Sequence, residues 1–94
     1  MPPRITINRV DGELQIWVNP EGRDLLVREL QHLSKKSDHF HFMPEDMDGE
    51  VPVRNRAYKP GAEVIEWGKV LFRPDDWDAR YYPHVLDDRD SKGS

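Results

Sequence analysis

Apolar and polar residues alternate with period two from Arg4 to Val10 (RITINRV) and again from Glu13 to Val18 (ELQIWV). Successive side chains of a strand point to opposite faces, so each run predicts a strand with one apolar row. Asp11-Gly12 separates the two runs. That pair suits a two-residue type I′ turn, in which both central residues need positive φ. Such a loop pairs Val10 with Glu13, Arg9 with Leu14, Ile7 with Ile16 and Ile5 with Val18. Directly opposed residues share a face. One face therefore carries Ile5, Ile7, Leu14, Ile16 and Val18, and the other Thr6, Asn8, Val10, Glu13, Gln15 and Trp17. A one-residue slip would mix the two sets, so pattern and turn specify the same register.

The period then changes. Leu26, Leu30 and Leu33 follow i, i+4, i+7 within Arg23 to Lys36, and Leu25 widens the stripe, which predicts an amphipathic helix. Asn19 is placed to cap it with Pro20 at the first helical position, unless Gly22 delays the start. Asp38 to Met43 (DHFHFM) alternates again and predicts a third strand, with Phe40 and Phe42 on one side and His39, His41 and Met43 on the other. A fourth is expected within Glu63 to Arg73, chiefly Lys69 to Arg73, with Gly68 marking a bulge or a close approach. Pro44 to Ala62 is too long for a structureless connection in a compact domain, so it holds either a short strand in Val51 to Tyr58 or an ordered loop. Trp77 and Tyr81 have helical spacing, and 87–94 reads as a disordered polar tail.

These elements predict an α+β domain over residues 1–86 in ββαββ order. Its four-stranded antiparallel or mixed sheet would pack one face on one helix. The expected core is Ile5, Ile7, Leu14, Ile16, Val18, Leu26, Leu30, Leu33, Phe40, Phe42 and Val70, with Leu71 or Phe72.

Composition narrows the chemistry. The 94 residues include no Cys, which removes disulfides, thiolate metal sites and Cys nucleophiles. A net charge of −4 argues against nucleic acid as a partner. The small cluster Arg54, Arg56 and Lys59 is offset by neighbouring acids. No apolar run is long enough for a membrane span, and none follows Met1-Pro2-Pro3-Arg4 to make a signal peptide, so a cytoplasmic protein is expected.

His39-x-His41 places two imidazoles on one side of a strand, where a metal-dependent enzyme would need a third ligand from Glu45, Asp46, Asp48 or His84. Two histidines fall short of a site, and the expectation is no metal and no cofactor. The acidic run around Gly49 lacks the order of a calcium loop. No nucleophile elbow, phosphate loop or dinucleotide fingerprint is present, so no catalytic residues are assigned.

The succession of a short hairpin, Gly22-x-x-x-Leu26-x-x-x-Leu30, Asp38-His39-Phe40-His41-Phe42 and a Val70-x-Phe72 strand resembles the thirty-second family of bacterial polymorphic-toxin immunity proteins. The resemblance spans Ile5 to Arg73 and implies a non-enzymatic protein that binds and neutralises a cognate toxin. Without it, the residues describe a small interaction domain of unknown partner.

One helix covers one sheet face, so the opposite face is the expected partner surface. It would combine Thr6, Asn8, Gln15 and Trp17 with His39 and His41. The loop residues Glu45, Asp46 and Asp48 would stand beside it to steer a basic partner. The alternative is that the segment from Asp75 to Pro83 folds back over Trp17.

Overall fold

The hairpin forms as its alternation predicts. The computed structural model describes residues 1–86, and the tail expected over 87–94 lies outside them. Strand β1 (Ile5–Val10) pairs antiparallel with β2 (Glu13–Val18), with Ile5 opposite Val18, Ile7 opposite Ile16 and Val10 opposite Glu13. Asp11 and Gly12 both hold positive φ, 53° and 77°, as the type I′ turn demands.

Helix α1 (Pro20–Gln31) begins at Asn19, with Pro20 in its first turn. The buried Asn19 amide fastens three pieces of chain together. Its Oδ1 accepts from Gly22 N–H at 2.7 Å and Arg4 N–H at 2.9 Å, while Nδ2 donates to the Pro2 carbonyl at 3.0 Å. Gly22 is where α1 meets β1: a Cβ there would lie 2.4 Å from the Arg4 carbonyl oxygen. This close approach sets the rotation of the helix. Gly22 and Leu25 are buried, Leu26 and Leu33 pack partly against the core, and Leu30 is exposed. The stripe centred on Leu26 and Leu30 is therefore corrected to one running through Gly22, Leu25 and Leu26. The helix also ends at Gln31, before Lys35-Lys36.

The single four-stranded sheet is replaced by two sheets of three strands. β3 (His39–Pro44) lies between β4 (Val51–Val53) and β6 (Gly68–Leu71), parallel to the first and antiparallel to the second. β5 (Glu63–Val64) joins the hairpin instead, with Asn8 opposite Val64. The division follows from what occupies the free edge of β1. Arg54 N–H donates to the Ile5 carbonyl and Ile65 N–H to the Ile7 carbonyl, both at 2.8 Å. That edge is thereby closed to β3. Pro44 to Ala62 thus holds a strand, as one of the two readings had it. Residues 45–50 suffice to join the parallel pair, because the chain has only to return from Pro44 to the level of Phe42, where Val51 pairs.

The core gathers Ile5, Ile7, Leu25, Phe40, Phe42, Val51 and Val53, with Ile65 and Val70 packed against it. Val51 and Val53 occupy places expected for Leu14, Ile16 and Val18, which are exposed, as are Leu71 and Phe72. Helix α2 (Asp75–Tyr81) and a 3-10 turn (Pro83–Leu86) complete the described chain. Trp77 and Tyr81 pack with centroids 4.7 Å apart and planes tilted by 44°, and the Arg73 guanidinium lies over the Trp77 ring.

Candidate functional site

The hydrogen-bond pattern of the hairpin decides which groups of β2 face outward. In an antiparallel pair, residues alternate between positions bonded to the opposite strand and positions whose N–H and C=O point away from it. Ile5 and Ile7 use their carbonyls on the far side, toward Arg54 and Ile65. Their partners Val18 and Ile16, and Leu14 two residues on, therefore direct their own backbone groups to the outer edge of β2. Among the described residues, no strand lies beyond that edge.

The same three residues expose their side chains. Leu14, Ile16 and Val18 retain 59, 48 and 41% of their accessible surface and form one row. β2 thus presents an open ladder and an apolar strip together. Natural edges are commonly blunted by Lys, Pro or a bulge. β2 (ELQIWV) has neither Lys nor Pro and pairs with β1 without a bulge. Sequence reasoning missed this strip because a buried apolar row and an exposed one have the same alternation. Only the strand order separates them.

The expected partner surface is divided by the structure. Thr6 and Asn8 are buried, and Gln15 and Trp17 are half-buried, so the polar hairpin face is not an open plane. Trp17 stacks on Tyr58 with centroids 4.2 Å apart and planes 8° from parallel. The cover over Trp17 is Tyr58 from the segment after β4; Trp77, Tyr81 and Tyr82 pack on one another instead. Asn8 Oδ1 and Nδ2, Gln15 Oε1 and Trp17 Nε1 are buried on this face without protein partners.

His39 and His41 lie on β3, in the other sheet, opposite Phe40 and Phe42. Their rings meet edge to face at 5.0 Å, and each has its own carboxylate. Asp38 Oδ1 sits 2.9 Å from His39 Nδ1, and Arg73 donates to Asp38 Oδ2 at 3.0 Å. The His39 hydrogen bond and the Arg73 charge hold the Asp38 carboxyl below its ordinary 3.8. Glu50 Oε1 accepts the His41 backbone N–H at 2.7 Å and lies 3.5 Å from its Nδ1. That backbone hydrogen bond is the main cause of a Glu50 pKa below its ordinary 4.5. Among the described residues, no three His, Asp or Glu side chains converge as a metal-ligand group.

The three acidic residues expected beside the partner surface have different surroundings. Glu45 is paired with Arg54 at 3.2 Å, whereas Asp46 and Asp48 are exposed between β3 and β4. No helix among the described residues is long and apolar enough to cross a membrane. The chain matches no family model, no curated protein and no solved structure.

Proposed function

We propose that this protein is a non-enzymatic, cytoplasmic binding protein that captures a protein partner by adding a strand of that partner to the outer edge of β2. One observation carries the reading: Leu14, Ile16 and Val18 combine outward backbone groups with an exposed apolar row. Strand addition uses both, the ladder for affinity and alternate side chains for specificity. Resemblance to the immunity proteins makes the partner a toxin encoded beside this chain. The net charge of −4, with exposed Asp46 and Asp48, favours a basic toxin surface and salt-dependent association.

The test is co-expression of the full chain with the toxin encoded by the adjacent gene, followed by calorimetry on the complex. A Leu14→Lys, Ile16→Lys double variant should retain its circular dichroism spectrum and lose at least about 100-fold in affinity. Full affinity in that variant overturns the β2 assignment. Failure of the two wild-type proteins to associate, or a homodimer sealed through β2, overturns the partner.

A further inference from the structure

Arg54 and Arg56 stand about fifty residues from Arg4, yet the fold places all three around one cavity. The hydrogen bond from Arg54 N–H to the Ile5 carbonyl brings the chain after β4 alongside β1. Between them is a space of 320 Å³ lined by Arg4, Thr6, Arg54, Arg56, Ala57 and Tyr58. A volume of roughly 300 Å³ or more is the size of a small-molecule site. No acidic residue lines it, although the chain as a whole carries four more acids than bases.

The charges of the cavity are poorly compensated. Arg54 has Glu45 at 3.2 Å, but among the described residues neither Arg4 nor Arg56 has a carboxylate within salt-bridge distance. Three basic residues around one cavity, two of them without a carboxylate partner among the described residues, favour an anion there. Guanidinium groups suit this role, because their planar fork of N–H donors matches oxyanion geometry. Thr6, buried at 2%, contributes a hydroxyl-bearing side chain to the lining.

A second observation concerns the residues behind the cavity wall. Thr6 is paired with Trp17, and Asn8 is the next residue of β1 on that face. The Trp17 indole N–H and both polar atoms of Asn8 are buried without protein partners. Neither residue lines the cavity, but Trp17 adjoins two that do, Thr6 by strand pairing and Tyr58 by stacking, so groups still able to hydrogen-bond lie next to its wall. Tyr58 adds an aromatic wall: it stacks on Trp17 while keeping 47% of its surface exposed.

We infer that this cavity binds a small phosphorylated ligand, its phosphoryl oxyanion held by Arg4, Arg54 and Arg56 and the remainder lying along Tyr58. The site is separate from the β2 edge, so its success or failure is independent of the partner assignment. Free phosphate and a phosphate ester share the anchoring chemistry and differ in their use of Tyr58.

The experiment is calorimetric titration of the isolated full-length chain at low ionic strength, first with inorganic phosphate and then with adenosine monophosphate. Saturable one-to-one binding is expected, weakening as sodium chloride is added. Arg56→Gln and Arg4→Gln should each weaken it at least about tenfold, and Lys36→Gln, outside the cavity, should not. Tighter binding of the monophosphate, lost in Tyr58→Leu, assigns the site to an ester; equal affinities assign it to the phosphate group alone. Thermal melts establish that each variant is folded. Absence of saturable binding by both probes overturns the inference, as does an effect of Lys36→Gln equal to that of the two arginine variants.

Discussion

Strands β1 and β2 read alike in the sequence and behave oppositely in the fold. Both alternate, both carry β-branched residues, and they pair in full register. Yet Ile5, Thr6, Ile7 and Asn8 of β1 are buried on both faces, whereas Leu14, Ile16 and Val18 of β2 stand exposed. The difference is position. β1 has β2 on one side, β5, Arg54 and Ile65 on the other, and α1 pressed against it at Gly22. β2 has a single neighbouring strand. Alternation states that a strand has an apolar row; it does not state that anything covers the row.

The largest effect should come from cutting equivalent side chains out of the two strands. Ile5→Ala removes a fully buried side chain and should cost about 2–5 kcal/mol in urea denaturation. Ile16→Ala, on the same face but half exposed, should cost about 1 kcal/mol or less. Equal losses at the two sites would break the comparison, because they would place Ile16 in a core.

A second test addresses what holds β1 at the centre. Gly22→Ala would ordinarily strengthen a helix by about 1 kcal/mol. Here the added Cβ meets the Arg4 carbonyl oxygen and the Ile5 side chain, so the helix must back away and stability should fall by about 1–3 kcal/mol. Asn19→Ala should cost a similar amount, about 1–2 kcal/mol, by removing the cap. A stabilised Gly22→Ala protein would show that α1 and β1 are not in contact there.

The hairpin and its register were legible because turn chemistry and side-chain period are local and agree. So were the Asn19 cap, the strand around Phe40 and Phe42, and the pairing of Trp77 with Tyr81 in α2. The partition into two sheets was not. It depends on Val51-Pro52-Val53, three residues with too short a pattern to outrank Leu14, Ile16 and Val18 as core. The helix stripe was ambiguous because Leu25, Leu26, Leu30 and Leu33 fit more than one rotation, and Gly22, the residue that chooses between them, reads in isolation as a helix breaker. Of the candidate surface, the alternation correctly put His39 and His41 opposite the phenylalanines. It could not show that they belong to a different sheet from Trp17. Nor could it show that Tyr58 reaches back to Trp17, because contacts across some forty residues leave no periodic trace.

A smaller effect tests the polar face of β1. Asn8 is wholly buried and neither amide atom has a protein partner. Replacing an unmet polar group by an apolar one of similar size is neutral or favourable, so Asn8→Val should leave stability unchanged or raise it by about 1 kcal/mol. A loss above about 1 kcal/mol would reveal an amide satisfied in solution and would make the central strand more polar in its demands than its neighbours suggest.

The smallest effect concerns the opposite case to the β2 edge, a strand N–H that does have a cap. Glu50 accepts the His41 N–H, and this bond is the leading cause of its lowered pKa. A carboxyl whose folded pKa lies below its unfolded value binds fewer protons when folded. Its contribution is therefore complete above the ordinary 4.5 and is lost as pH falls through the depressed folded value. Glu50→Gln can still accept from His41 but carries no charge at any pH. The variant should be the less stable protein at neutral pH, and the gap should close in acid as wild-type Glu50 takes up its proton. Asp38 and Asp76 are also held below their ordinary values, by His39 and Lys35 respectively, and titrate in both proteins, so their effect cancels in the difference. Urea midpoints measured across the acid range supply the test. A gap that persists unchanged below the carboxylate range would mean that Glu50 acts through shape rather than charge, leaving the β3 N–H no better defended than those along β2.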